Sequence, residues 1–133
     1  MSNIDKSHSW IDILARGATE EWNLVVSDDL TMHAPFMPGD AALAYTGKEV
    51  NRERVAALWK SWKRFSFSDV EIHAAADDSD LVFVLARSEA ETHWGAGYEN
   101  RYVFRLRFRD GLIVEHLEFL NPLPVIAAFD GHL

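Results

Sequence analysis

The chain has 133 residues, of which 48% are hydrophobic and 26% charged, and its formal net charge is −8 at pH 7. This size and composition predict a single globular domain over residues 1–133. The negative charge argues against binding to nucleic acid or to an anionic membrane through a basic field, and the absence of cysteine excludes disulfides, thiolate metal sites and cysteine nucleophiles.

The N-terminal segment predicts an amphipathic helix followed by a short strand. Apolar residues recur at three- and four-residue steps over residues 9–27, and Ser9 with Asp12 resembles a helix start. A strand is expected at residues 30–34. No basic region followed by an apolar stretch opens the chain, and no apolar run approaches about 20 residues, so we expect a cytoplasmic protein that does not enter a membrane.

A loop and a second helix are predicted next. The prolines within residues 35–40 predict a loop, and we expect its apolar Phe36 and Met37 to fold over a neighbouring surface. Thr46 and Glu49 match a Thr-x-x-Glu capping box, and the helical spacing of the apolar residues that follow extends to residue 65.

The second half of the chain predicts antiparallel strands. The expected order is a strand at residues 66–76, a turn at 77–80, a strand at 81–93, a connection at 94–97 and a hairpin at 98–120. Asn121 and Pro122 then predict the start of a short C-terminal helix that ends near residues 130–131. This order predicts an α+β fold in which helices pack on one face of a curved antiparallel sheet.

The hairpin turn at Asp110-Gly111 allows two registers. A two-residue turn would place Glu115 on the aromatic face of the hairpin. A three-residue loop with Gly111 in the left-handed conformation would oppose Phe108 to Leu112 and let Glu115 pair with Arg105, a contribution of roughly 0.2–1 kcal/mol. We favour this bulged register because it removes a charge from the aromatic face.

The bulged register determines what each face of the hairpin carries. His116 and Glu118 then point into the face that holds Tyr102, Phe104 and Leu106. A mixture of apolar and charged residues occupies the opposite face, which predicts a homodimer interface, with a solvated sheet face as the open alternative. The interface residues are Val103, Arg105, Ile113, Glu115, Leu117 and Phe119.

Three inward residues are candidate catalytic groups. A carboxylate such as Glu118 loses hydration on an aromatic face, which suits a general acid or base; the alternative is a structural hydrogen bond or a wet rim. His116 could donate to Glu118, shuttle a proton, or be a satisfied core histidine. Tyr102 could donate a hydrogen bond to an enolate-like oxygen, or be a half-buried aromatic residue.

The candidate ligand-binding residues are mostly aromatic. They are His33, Phe36, Trp59, Trp62, Trp94, Asn100 and Phe104. For Trp62 a core role is the default, because it fits the apolar stripe of the second predicted helix. The histidines lack metal-ligand spacing, and no glycine motif for binding phosphate is present, so we expect neither a metal nor a cofactor.

The chain resembles the SnoaL-like branch of the nuclear transport factor 2-like superfamily. The resemblance is carried by residues 45–49 (YTGKE), 98–100 (YEN) and 110–122 (DGLIVEHLEFLNP). It implies a cone-shaped, curved antiparallel sheet wrapped by N-terminal helices, the cystatin-like roll. The last two segments are most similar to the phenazine-biosynthesis A/B proteins, which implies an acid–base role for Glu118 in condensing cyclic acids held in the cone.

The chain also departs from its relatives. The phenazine group has a histidine on the second helix, where this chain has Arg52-Glu53-Arg54-Val55. The acidic residues of the ketosteroid isomerases are replaced by Ala34 and Phe104, and an Asp-Arg-Asp site of the epoxide-hydrolase kind cannot be assembled. The leading hypothesis is a cofactor-independent enzyme for isomerisation, cyclisation or condensation of a small apolar, cyclic molecule, of the kind used in secondary metabolism. The alternative is a non-catalytic module for ligand binding or dimerisation.

Overall fold

The structure, a computed structural model, describes residues 1–132 and confirms the α+β fold as a six-stranded curved sheet packed against helices. The helices are α1 (Asn3–Arg16), α2 (Lys48–Trp59) and α3 (Pro122–Ala128), with short 3-10 helices at Thr19–Leu24 and Gly39–Ala42. The strands are β1 (Val26–His33), β2 (Tyr45–Thr46), β3 (Trp62–Ala75), β4 (Asp78–Thr92), β5 (Gly97–Arg109) and β6 (Leu112–Leu120).

The sheet order is β2-β1-β6-β5-β4-β3. Among the strands of residues 1–132, only β1 and β6 pair in parallel, and every other neighbouring pair is antiparallel. The concave side carries the core, to which α1 contributes Trp10, Ile11, Ile13 and Leu14. Within residues 1–132, no helix is long and apolar enough to cross a membrane.

The first helix begins and ends earlier than the predicted 9–27. Its start is a capping box in which Asp5 N donates to Ser2 Oγ (3.1 Å) and Ser2 N donates to the Asp5 carboxylate (3.3 Å). Its end is Gly17, which adopts a left-handed φ of 64°. The apolar spacing continues because Trp22 and the residues after it still fill the core, although from a 3-10 helix and a strand.

Gly17 also makes a close contact that a side chain would disrupt. A Cβ at this position would lie 2.7 Å from Trp59 Cδ1. We therefore expect Gly17→Ala to lower the free energy of unfolding by roughly 1–3 kcal/mol, measured by urea denaturation. Gly39→Ala is the matched control, because Gly39 has a φ of 59° but its Cβ would meet nothing within 4 Å. An equal loss in both variants would show that the backbone, and not Trp59, accounts for the effect.

The second helix lacks the predicted capping box of Thr46 with Glu49. Gly47 is the N-cap and makes no side-chain cap bond, while Thr46 Oγ1 bonds Thr31 Oγ1 across β1 and β2 (2.9 Å). The buried amide of Asn51 anchors the helix instead, since Nδ2 lies within hydrogen-bonding distance of three carbonyl oxygens. These belong to Leu30 (3.1 Å), Tyr45 (2.9 Å) and Gly47 (3.0 Å).

The boundary between α2 and β3 also differs from the prediction. The helix ends at Trp59 and β3 begins at Trp62, so that the last residues of the predicted helix are strand. The predicted turn at 77–80 is shorter, because β4 begins at Asp78 and the Asp78 carboxylate pairs with Arg107 of β5 (2.7 Å). The predicted loop holds for residues 35–38, whereas Gly39–Ala42 form a 3-10 helix. The C-terminal helix, capped by Asn121, is confirmed, but it ends at Ala128 and not near residues 130–131.

The β5–β6 turn is not the predicted three-residue loop. Asp110 and Gly111 have φ values of 52° and 77° and form a two-residue turn. Leu112 therefore lies opposite Arg109, and not opposite Phe108 as predicted. This is the turn that the Asp-Gly dipeptide favours locally.

The extra residue occurs further along β6, where a bulge leaves Val114 without a partner. One inserted residue restores the alternation that the predicted bulge would have produced. His116 and Glu118 accordingly face the concave side, as predicted. Ile113 precedes the bulge, so it is fully buried, and its predicted place on the outer face is wrong.

The outer face of the hairpin carries the predicted ion pair. Arg105 and Glu115 approach to 2.5 Å, but across the diagonal, because the direct partner of Glu115 is Arg107. Val103 is exposed on the same face.

Candidate active site

A cavity of about 430 Å³ opens on the concave side of the sheet. Its wall is formed by β1, β2, the segment between them, the three helices, and the concave sides of β3, β5 and β6. The wall is mainly aromatic and aliphatic, as is usual for small-molecule sites. Seven of the predicted site residues line it, namely His33, Trp59, Trp62, Tyr102, Phe104, His116 and Glu118.

Three predicted ligand-binding residues lie outside the cavity. Phe36 is 55% exposed and packs against Phe119, with ring centroids 5.4 Å apart. Trp94 donates its indole N–H to the carbonyl of Ala128 (2.9 Å) and so fastens α3. Asn100 supports the wall from behind and does not line it. The side chains of Phe36 and Trp94 are not part of the cavity wall, although Met37, next to Phe36, lines it. Local sequence does not encode which of these neighbours enters the wall.

Glu118 is held in place by a buried chain of hydrogen bonds. Trp10 Nε1 donates to His116 Nδ1 (3.0 Å), and His116 Nε2 lies 3.0 Å from Glu118 Oε1. Trp10 and His116 are buried, whereas the Glu118 side chain is 25% exposed. Within residues 1–132, Glu118 Oε2 has no hydrogen-bond partner. The geometry therefore favours His116 as a partner of Glu118, and it leaves one carboxylate oxygen available to a ligand.

Tyr102 belongs to a second buried network. Its hydroxyl lies 2.8 Å from Ser88 Oγ and 2.9 Å from the hydroxyl of Tyr98, which accepts a bond from Asn100 Nδ2 (2.8 Å). Burial raises the pKa of both tyrosines, so both hydroxyls remain protonated donors near neutral pH. Tyr98 and Ser88 were not predicted. Alternation along β5 places Tyr98 on the same face as Tyr102, and this is the signal that could have found it.

The two tyrosines predict a loss of stability at alkaline pH. In the unfolded chain tyrosine releases its proton near a pKa of about 10, whereas burial raises the pKa of Tyr98 and Tyr102 in the folded state. Their contribution is therefore fully present below about pH 10 and is lost as the pH rises further. Urea unfolding at increasing pH should show the free energy falling by up to about 1.4 kcal/mol per pH unit for each tyrosine. If the free energy of unfolding fell equally steeply with pH in a variant with both Tyr98→Phe and Tyr102→Phe, this prediction would be contradicted.

Arg54 is a cavity residue that the sequence reasoning did not select. Within the described residues 1–132, it is the one lysine or arginine that lines the cavity. Its guanidinium carbon lies 3.4 Å above the ring centre of Tyr45. Within residues 1–132 it makes no ion pair. Residues 1–132 contain no cluster of three or more histidine, cysteine or acidic residues that could hold a metal ion.

The sequence matches a known family over most of its length. The profile of the SnoaL-like domain matches residues 8–116. The chain is also 22% identical over 112 residues to the protein YesE of Bacillus subtilis (strain 168), a match that covers 84% of this chain and 76% of YesE.

Solved structures share the fold. A candidate isomerase from Bacillus subtilis superposes with a TM-score of 0.86 at 20% identity, over 100% of this chain and 98% of that chain. The phenazine biosynthesis-related protein PhzB2 of Pseudomonas aeruginosa superposes with a TM-score of 0.76 at 16% identity, over 95% of this chain and 79% of that chain. NTF2-like proteins have the same architecture, as predicted. The family resemblance is therefore confirmed, and the chain belongs to the SnoaL-like domain family.

Proposed function

We propose that the protein is a small-molecule enzyme in which Glu118 transfers a proton to and from an apolar, cyclic molecule bound in the cavity. The observation that carries this proposal is a carboxylate in a mainly apolar wall, with one oxygen bonded to His116 and the other without a partner within residues 1–132. A base must reach the proton it removes, and an oxygen without a protein partner can do so.

The neighbouring groups fit proton transfer next to a carbonyl. Glu118 Oε2 would remove a proton from the carbon beside the carbonyl, and the electron pair of the broken C–H bond would move onto the carbonyl oxygen. The hydroxyl of Tyr102, protonated near neutral pH, would donate a hydrogen bond to that enolate-like oxygen. Where the carbon that loses the proton also adjoins a carbon–carbon double bond, return of the proton from Glu118 to the far carbon of that bond shifts the double bond and gives isomerisation. Where the carbon instead attacks a second carbonyl, the oxygen of that carbonyl takes the proton from Glu118, which gives cyclisation or condensation.

The cavity wall supports an apolar, cyclic ligand. Trp59, Trp62 and Phe65 form an aromatic group, with ring centroids 5.2–6.4 Å apart. Such faces bind flat rings. Arg54, without an ion-pair partner in residues 1–132, would accommodate an acidic substituent on the ring. Similarity to a phenazine biosynthesis-related protein agrees with this class of ligand.

Deuterium exchange tests the proposal without knowledge of the natural substrate. 2-Tetralone is a bicyclic ketone with acidic protons beside its carbonyl, so it is a suitable probe. In D₂O the protein should accelerate the exchange of these protons, as followed by proton NMR, and the rate should saturate with ketone. Saturable binding without acceleration would support the alternative, a module that binds a ligand without catalysis.

We also propose that the outer sheet face forms a homodimer. Val103 and Leu85 are exposed there beside Arg105 and Glu115, and Phe119 packs under the exposed Phe36. Sedimentation should give the mass of two chains, and Val103→Asp should shift it to one. A monomeric wild-type protein would exclude the dimer and leave the cavity proposal untouched.

A further inference from the structure

We propose that Trp10 is a positioning residue for Glu118, because its indole N–H fixes the tautomer of His116. The inference rests on the proposed function for its consequence in catalysis, but the tautomer itself can be measured without any substrate. Trp10 lies on α1 and does not line the cavity.

The argument starts from what each group can donate. An indole N–H only donates, so His116 Nδ1, 3.0 Å from Trp10 Nε1, must accept. A neutral imidazole carries one N–H, which therefore lies on Nε2. That N–H points at Glu118 Oε1, 3.0 Å away, and donates to it. In the other tautomer, the N–H of His116 Nδ1 would face the N–H of Trp10, so that two donors oppose each other. His116 Nε2 would carry no proton and would face Glu118 Oε1, so that two acceptors oppose each other.

Burial makes this arrangement rigid. The exposed fractions of Trp10 and His116 are 0% and 1%, so water cannot replace either partner. Trp22 packs edge-on against Trp10 with ring centroids 5.0 Å apart, and His116 packs edge-on against it at 5.9 Å. A ring flip of His116 would lose both hydrogen bonds.

The consequence reaches the cavity through Glu118. A donor at Nε2 holds Oε1 of the carboxylate and leaves Oε2 for the ligand. An acceptor at Nε2 would repel Oε1, and the carboxylate would turn from its place. Because the donor is fixed by a residue of α1, a helix residue behind the wall determines the direction of the proposed catalytic group.

The test is nitrogen-15 NMR of the histidine rings near neutral pH. N–H and bare ring nitrogens resonate in different regions, and the His116 signals are identified by their loss in His116→Gln. We expect wild-type protein to show a bare Nδ1 and a protonated Nε2. Trp10→Phe keeps an aromatic ring without the N–H and should give a mixture of tautomers. Trp22→Phe is the matched control, which keeps the Trp10 donor and should keep the wild-type pattern.

A second readout connects the tautomer to catalysis. Exchange of 2-tetralone should slow in Trp10→Phe by up to about 10²-fold, as expected for a displaced catalytic group, and should stay near the wild-type rate in Trp22→Phe. A proton on Nδ1 in the wild type, or an unchanged single tautomer in Trp10→Phe, would overturn the inference. The wild-type spectrum decides if Trp10→Phe does not fold. Absence of exchange activity in the wild-type protein would count against the proposed function and not against the tautomer.

Discussion

Replacing Glu118 with glutamine is expected to slow the exchange of 2-tetralone by roughly 10²- to 10⁴-fold, which is the usual contribution of a general acid or base. Glutamine has nearly the same shape, and its carbonyl oxygen can still accept the hydrogen bond from His116 Nε2, 3.0 Å from the carboxylate in the wild type. An amide is not a base at neutral pH, so the fold should remain while proton transfer fails.

The matched control is Glu115→Gln on the same strand. Glu115 pairs with Arg105 on the outer face and does not line the cavity. Its replacement should leave the exchange rate unchanged and cost at most about 1 kcal/mol of stability, as for an exposed ion pair. Wild-type exchange in Glu118→Gln, with the fold confirmed by urea denaturation, would remove Glu118 from its proposed role.

Replacing Trp10 with alanine should destabilise the fold strongly. Trp10 is fully buried, so its loss removes a large apolar side chain and leaves a cavity, at roughly 3–5 kcal/mol. It also leaves Nδ1 of His116 without its donor in a buried place. The total stability of a domain is roughly 5–15 kcal/mol, so the loss is a large share of it.

Urea denaturation of Trp10→Ala measures this loss. Trp94→Ala removes the same residue type from a partly exposed position, where Trp94 bonds a backbone carbonyl of α3, and should cost clearly less. Equal losses in the two variants would contradict the prediction that burial makes Trp10 the more important of the two for stability.

The direction of Glu118 could be predicted from sequence, but the position of the bulge could not. Strand alternation and the cost of a charge on the aromatic face both require one extra residue in the hairpin. The bulge lies at Val114 because β1 pairs in parallel with β6, where Ile113 N donates to the carbonyl of Val25 (2.8 Å). That contact joins residues distant in sequence, so it cannot be predicted from local turn preferences.

The supporting residues of the site were harder to predict for the same reason. Trp10 and His116 are separated by 106 positions in the chain, so nothing near Trp10 identifies its acceptor. Asn51 lay on a helix for which a threonine cap was predicted, and its three carbonyl partners come together only in the fold. Trp94 and Phe36 are the reverse error, because both were predicted to line the cavity and neither does. An apolar residue in a loop gives no information about which surface it packs against.

The central claim is that a ligand binds in the cavity with its reactive carbon beside Glu118. A crystal structure of the protein with 2-tetralone measures this directly. We expect the ketone in the cavity, with the carbon beside its carbonyl about 3–3.5 Å from Glu118 Oε2 and the carbonyl oxygen towards Tyr102. A ketone bound only outside the cavity, or bound inside with that carbon remote from Glu118, would contradict the account.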